Sequence, residues 1–311
     1  MTGPPRETAQ VRTAVRRGLA DLPDGALVLA AVSGGADSLA LAAALAAVRP
    51  GSGALVVDHG LQDGSAAVAA RAAGQAAGLG LAPVEVLGPG AVARGGGPEG
   101  RARALRYALL EEAAGRLGAA AVLLGHTLDD QAETVLLGLA RGAGARSLAG
   151  MAPVRGQWRR PLLAVDRATV RAACAQAGLD HWDDPHNDDP DYARVRVRDA
   201  ALPGLEDAVG PGVAAALART AALLREDADA LDALTPDLPA APSCAELIAL
   251  PPALRGRALK RWAERRCDAA VGSAHVLALR ALVEDWHGQG PVALPGGVRV
   301  VRDRGRLAFG T

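Results

Sequence analysis

The stretch ALVLAAVSGGADS, residues Ala26 to Ser38, decides the fold. Ala26 to Val32 is a continuous apolar run, the pattern of a strand buried on both faces. Two glycines then break the run, and an Ala-rich stretch, Asp37–Val48, has helical length. Working outward, Ala54–Val57, Pro83–Leu87 and Ala119–Leu124 read as three more strands, separated by helices over Ser65–Gly78 and Pro98–Leu117. Continuous apolar strands alternating with helices predict a parallel sheet covered on both faces. In such sheets ligands bind beyond the carboxyl ends of the strands. The Gly-rich loop Gly88–Gly97 follows one of those ends.

The pattern turns helical from about Asp166, which is placed to cap a helix ending near Gly178. An acidic stretch, HWDDPHNDDPDY, leads into Arg194, Arg196 and Arg198. Pro211 opens a helix through about Leu234, and PDLPAAPS, Pro236–Ser243, reads as a linker. Helices around Pro252–Cys267 and Ser273–Trp286 and strands about Val298–Arg302 and Arg306–Phe309 follow. The expected architecture is α/β: a Rossmann-like sheet domain over residues 1–208, a helical connection and linker over 209–243, and a small α+β domain over 244–311.

At 311 residues the chain can bury a sizeable core, and its 50% apolar content argues for a folded protein. With 2% aromatics, that core must be Ala, Leu and Val. The formal charge is zero, so no global basic signature marks a nucleic-acid binder, although local patches are what contact phosphate. Cys174, Cys244 and Cys267 form no CxxC pair, against a disulfide framework, zinc site or iron–sulfur cluster. The N-terminus lacks the apolar core of a signal peptide, and the longest apolar run, Leu39–Val48, is too short for a bilayer. A cytoplasmic protein without membrane contact is expected.

SGGADS offers successive backbone N–H groups at a helix N-terminus, suited to a phosphate. Ser33 and Ser38 add hydroxyls, Gly34 and Gly35 permit close approach, and Asp37 can hold the Mg²⁺ that accompanies ATP. The GxxxxGK[ST] pattern is absent, against a P-loop NTPase. An ordinary Gly-rich turn capped by Asp37 and Ser38 is the bland alternative.

Three further segments carry chemistry: VVDHGLQ (Val56–Gln62), PEGRARALRY (Pro98–Tyr107) and GHTLDDQAETVLLGLARGAGARSLAGM (Gly125–Met151). Arg103 and Arg106 stand at i, i+3 spacing on one helix face. His126 follows the fourth strand, and Asp130 and Glu133 share a face of the next helix. Two close carboxylates can bind a metal, transfer a proton or recognise an ammonium group. Asp129 in the same first turn needs no role beyond the helix dipole. Arg141 and Arg146 flank a glycine turn suited to an anion, and Arg155, Arg159, Arg160, Arg167 and Arg171 cluster where they could face phosphates.

SGGADS resembles the signature of the PP-loop ATP pyrophosphatases, which adenylate a carbonyl oxygen. With the other segments, Arg160-Pro161-Leu162, the Asp183–Asn187 segment and RVRVR (Arg194–Arg198), the chain closely resembles the tRNA(Ile)-lysidine synthetase family over its first two-thirds. Gln62 stands where that family usually has Arg, and Val195 where it has Asn. The resemblance implies a ligase that adenylates C2 of the wobble cytidine of tRNA(Ile) bearing a CAU anticodon. L-lysine then displaces AMP to give lysidine. It implies ATP and Mg²⁺ at Ser33, Gly34, Gly35, Ala36, Asp37 and Ser38, with His126 near the phosphates. Asp130 and Glu133 become candidates for lysine recognition, and Arg103, Arg106 and Arg194 assisting cations. The tRNA-contacting role of the C-terminal domain rests on the resemblance alone, and a homodimer is one arrangement it allows. The rivals are a tRNA thiolase, which usually needs the paired cysteines missing here, and a non-catalytic adenine-nucleotide-binding regulator.

Overall fold

A computed structural model describes residues 3–58, 60, 64–88, 98–184, 189–267 and 269–310, with side chains of 98–102 excluded. His59, Gln62, most of the Gly88–Gly97 loop and residues 185–188 of the acidic stretch lie outside the described residues. The chain forms two compact units, residues 1–223 and 224–311.

The first unit holds helix α1 (Arg6–Gly18), strand β1 (Val28–Val32), α2 (Ala36–Val48), β2 (Gly53–Val57), α3 (Ser65–Gly78), β3 (Val84–Leu87), α4 (Pro98–Arg116) and β4 (Ala121–Leu123). There follow α5 (Leu128–Ala140), α6 (Ala145–Leu148), the short strands β5 (Val154–Arg155) and β6 (Trp158–Arg159), α7 (Arg167–Gln176) and α8 (Ala193–Arg196). A π-helical turn (Val197–Ala201) joins α8 to α9 (Leu202–Val209), and α10 (Val213–Leu234) follows with residues in both units. The sheet order is β3-β2-β1-β4-β6-β5. All pairings are parallel except β5 with β6.

The four expected strands and the helices between them are present, so the sheet domain matches its sequence reading. Beyond the expected set, the unit holds α1, α6, α8, α9, β5 and β6. α1 packs against α2 and α7 through Val11 and Val15. β5 and β6 are two residues each, too short to show a period; β6 adds to the edge of β4, and β5 to β6. α9 lies at the end of the expected sheet domain, where no helix is expected. Strand residues alternate between two cores: Val28, Ala30 and Val32 face α1, α2 and α7, while Leu29 and Ala31 face α4.

The order reverses between β1 and β4: from β1 the chain proceeds outward to β2 and β3, then returns to β4 on the other side. That reversal opens a crevice at the strand carboxyl ends. The SGGADS loop leaves β1 there, and His126 leaves β4.

The second unit holds α11 (Cys244–Ala249), α12 (Pro252–Glu264), α13 (Ser273–Glu284) and an antiparallel sheet of β7 (Val292–Ala293), β8 (Arg299–Asp303) and β9 (Arg306–Gly310). This is the expected small α+β arrangement, with α11 and β7 in addition. Trp262 stacks on Phe309 at 4.2 Å within its core. Arg255 is buried because its guanidinium donates to the carbonyls of Leu247, Ile248 and Leu250 at the end of α11. Pro236–Ser243 is irregular, and the carbonyls of Ala240 and Ala241 accept from Trp262 and Arg306.

Candidate active site

The nucleotide loop is a three-residue passage from β1 to α2. Gly34 takes φ +87°, a conformation that favours glycine. Its carbonyl accepts the Trp182 N–H at 2.9 Å, which pins the loop from a distant segment. Ser38 Oγ accepts from the Ser33 N–H (3.1 Å) and the Ser33 hydroxyl (3.2 Å) and donates to the Gly35 carbonyl (2.9 Å). Among the described residues, the N–H groups of Gly34, Gly35, Ala36 and Asp37 meet no acceptor. Four free donors at a helix start make an anion cradle.

Asp37 points one carboxylate oxygen, Oδ1, into a buried position with no hydrogen-bond partner. Burial, reinforced by the charge of Asp130, pushes its carboxyl up to about 6, against the pull of Arg167 and Arg171. A buried carboxylate oxygen without a partner, beside a phosphate cradle, is what a cation would relieve, and a hard oxygen donor of this kind fits Mg²⁺. Among the described residues no group of three or more His, Cys, Asp or Glu converges on a metal position.

β4 reaches the same crevice because residue 125 is glycine. A Cβ there would lie 3.2 Å from the Asp37 carbonyl and 3.3 Å from Ser38 Cα. His126 follows, with Nδ1 buried and unpartnered. Burial, helped by Arg160, Arg106 and Arg103 and opposed by Asp130, pushes its imidazole down to about 3. It is therefore a neutral ring near three cations. Of these, Arg160 donates to the Ala152 carbonyl and the Tyr107 hydroxyl. Burial pulls the Arg106 guanidinium below its ordinary value, and Arg103 lies over the Tyr107 ring. Neither Arg103 nor Arg106 joins the carboxylate pair.

Thr127 caps α5 in a reciprocal box: its Oγ1 accepts from the Asp130 N–H, and Asp130 Oδ2 accepts from the Thr127 N–H at 2.6 Å. The box aims Asp130 Oδ1 at Arg167 and Arg194, 2.9 Å from each. Glu133, one turn on, gives Oε1 to Arg167 (3.0 Å) and Oε2 to Arg194 (2.6 Å). All four carboxylate oxygens are thus occupied. Burial works against the Asp130 charge, but Arg194, Arg167 and the Thr127 N–H outweigh it and hold the carboxyl below its ordinary range. Asp130 and Glu133 share a helix face as their spacing predicts, and Arg194, expected as an assisting cation beside Arg103 and Arg106, lies instead on this carboxylate pair.

Arg167 was missed as a member of this cluster. It was read as one of five arginines facing phosphate, yet it is the first residue of α7 and turns inward behind its Asp166 cap. Its Nε lies 4.0 Å from Asp37 Oδ2, and its backbone N–H donates to Asp129 Oδ2 at 2.7 Å. Asp129 therefore does more than face the helix dipole. Arg159 is also a correction: it is buried in a bidentate pair with Asp21, at 2.5 and 2.9 Å, rather than facing a ligand. Arg171 pairs with Asp183 at 3.8 Å, and Arg155 is exposed. Arg141 is the C-cap residue of α5, and Arg146 lies within the short helix α6. Beside Glu133 lies a cavity of about 410 Å³ lined by Asp129, Arg198, Leu202, Glu206 and Asp207 among others.

A parallel sheet with a free-amide SGGADS loop at its switch point defines a PP-loop protein. Residues 8–205 match the family model described as PP-loop domain, and residues 243–308 match the TilS substrate binding domain. A U34-tRNA thiolase from Methanococcus maripaludis shares the fold, with TM-score 0.59 and 21% identity over 71% of this chain and 80% of that one. The chain is 57% identical over 303 residues to the tRNA(Ile)-lysidine synthase of Leifsonia xyli subsp. xyli, covering 93% of this chain and 91% of that protein. It is 54% identical over 320 residues to that of Thermobifida fusca, covering 99% and 98%. The chain belongs to the tRNA(Ile)-lysidine synthase family. It is an ATP-using ligase, and no helix among its described residues is long and apolar enough to cross a membrane.

Proposed function

We propose that the chain joins L-lysine to C2 of the wobble cytidine in tRNA(Ile) with a CAU anticodon. The observation that carries this reading is the meeting of two unlike half-sites at one switch point: a loop of unsatisfied donors and a pair of ionised carboxylates. The loop amides of Gly34 to Asp37 and the Ser33 and Ser38 hydroxyls hold ATP. Mg²⁺ at Asp37 would draw charge from the phosphates as the α–β bond breaks. The cytidine C2 oxygen attacks the α-phosphorus and diphosphate leaves. His126, being neutral, donates or accepts one hydrogen bond there without adding charge. Arg103 and Arg106 stabilise the negative charge that develops.

The lysine amine then attacks C2, AMP departs with the C2 oxygen, and the amine proton is lost. Asp130 and Glu133 recognise the ammonium group, with Arg194 yielding its place. Arg194 is the more exposed of the two guanidiniums, 37% against 20% for Arg167, and sits beside the π-helical turn. The C-terminal unit contacts the tRNA, and the reaction belongs to the cytoplasm.

Purified protein with Mg·ATP should attach labelled lysine to a tRNA(Ile) transcript with a CAU anticodon. The same transcript with uridine at the wobble position should stay unlabelled. Equal labelling of both, or labelling of neither, would end the lysidine assignment.

A further inference from the structure

We infer that Arg167 is a positioning residue shared by the two half-sites, so that lysine and Mg·ATP each tighten the other's binding through it. The inference rests on the proposed lysine reading of Asp130 and Glu133. Three anions converge on this one guanidinium. Its Nη2 bonds Asp130 at 2.9 Å and Glu133 at 3.0 Å, while its Nε stands 4.0 Å from Asp37 Oδ2, beyond hydrogen-bond length. One nitrogen of the fork, Nη2, is engaged with the amine side, and the Nε edge stands only loosely by the nucleotide side.

Its backbone is fixed more firmly than its side chain. The Arg167 N–H is held by Asp129, the Asp166 side chain caps the same turn through Thr169, and Val165 O accepts from Leu128 N–H at 3.0 Å. The start of α7 is thereby tied to the start of α5. What remains free is the direction in which the guanidinium leans.

An ammonium arriving at Asp130 and Glu133 brings a positive charge to the anions that hold Arg167. Their pull on the guanidinium weakens, and with Asp37 committed to Mg²⁺ the nearest uncompensated anions are the phosphates in the loop beside it. Arg167 then leans towards those phosphates. The traffic runs both ways, because a coupling free energy between two sites is reciprocal. Mg·ATP in the loop draws Arg167 away from the carboxylates and leaves them short of a cation, which favours the ammonium. A merely structural arginine would hold α5 to α7 and leave the two ligands independent.

The test is calorimetric titration of Mg·ATP into the full chain, with and without saturating lysine, and of lysine with and without a non-hydrolysable ATP analogue. In the wild type each ligand should tighten the other by about 5-fold or more, the lower end of ordinary allosteric coupling. In Arg167→Gln the ratio should fall to near 1, although both ligands still bind. Should Arg167→Gln fail to fold, as judged by its melting curve, Arg167→Lys carries the test. A single ammonium cannot span both carboxylates and the phosphates, so the coupling should drop by at least half. Independent binding of the two ligands in the wild type, or coupling unchanged in the variant, overturns the role of Arg167 while leaving the lysine reading intact. Absence of any lysine binding overturns both, and the transcript-labelling assay identifies that case separately.

Discussion

The two halves of the crevice are opposites in how their polar atoms are satisfied. At the β1 end, four backbone N–H groups and Asp37 Oδ1 have no partner among the described residues. At the β4 end, the four oxygens of Asp130 and Glu133 are all hydrogen-bonded to protein. Unsatisfied buried polar atoms cost free energy, and folds retain them where a ligand completes them. The first half is therefore already shaped for its ligand. The second is a closed network that must exchange one internal cation for an external one. Substitutions in the loop should harm function and spare the fold, whereas substitutions in the network should harm both.

The sharpest way to break this contrast is Asp37→Asn. It should lower pyrophosphate release about 100-fold or more, the scale of losing a charge stabiliser at a reacting phosphate, without lowering the melting temperature. A clear loss of stability would show that Asp37 belongs to the structural network after all. Next in size, Glu133→Gln leaves two guanidiniums short of a buried counter-charge. It should destabilise the fold by about 3 kcal/mol in denaturant titrations, as breakage of buried ion pairs generally does. A change under about 0.5 kcal/mol would mean the network is looser than its geometry.

The unpartnered groups also predict opposing pH slopes in the absence of ligands and metal. Asp37, raised from 3.8 to about 6, binds its proton more readily when folded, so its contribution to stability rises as pH falls through 6. His126, lowered from 6.5 to about 3, binds its proton less readily when folded, so its contribution falls as pH drops below 6.5. Between about pH 6 and 4 the two nearly cancel. Relative to wild type, Asp37→Asn should lose stability on acidification across that window, and His126→Gln should gain it. The slope in each case approaches about 1.4 kcal/mol per pH unit. Parallel curves for all three proteins would refute the assignment of both groups. The smallest effect calibrates the rest: Asp21→Asn breaks the Arg159 pair from its exposed side. It should lower the melting temperature only slightly, as loss of a solvent-screened partner does, and leave lysine transfer unchanged.

The sheet was legible because its strands are continuous apolar runs, and the nucleotide loop because glycine and acid follow such a run directly. α1 left a fainter trace, since only Val11 and Val15 of its thirteen residues are buried. β5 and β6 carry no periodic signal; β6 is a strand because it pairs with β4, and β5 because it pairs with β6. Asp130 and Glu133 could be grouped because helical spacing puts them on one face. Arg167 could not be added, since its partners lie 34 and 37 residues earlier and nothing local aims it inward. Its one local signal was the Asp166 cap. For the same reason Arg159 read as a surface cation, although its counter-ion at Asp21 folds it into the interior.

The hydrogen bond from the Trp182 N–H to the Gly34 carbonyl gives the nucleotide loop a place in time as well as in space. The loop belongs to the first strand–helix unit to emerge from the ribosome, but this restraint belongs to a segment made much later. β4, whose glycine packs against the same turn, also arrives late. A nascent chain halted after α3 would present the SGGADS residues without the contacts that set their shape. Nucleotide affinity should therefore appear late in synthesis, once residue 182 has cleared the exit tunnel, even though the residues that bind are among the earliest translated.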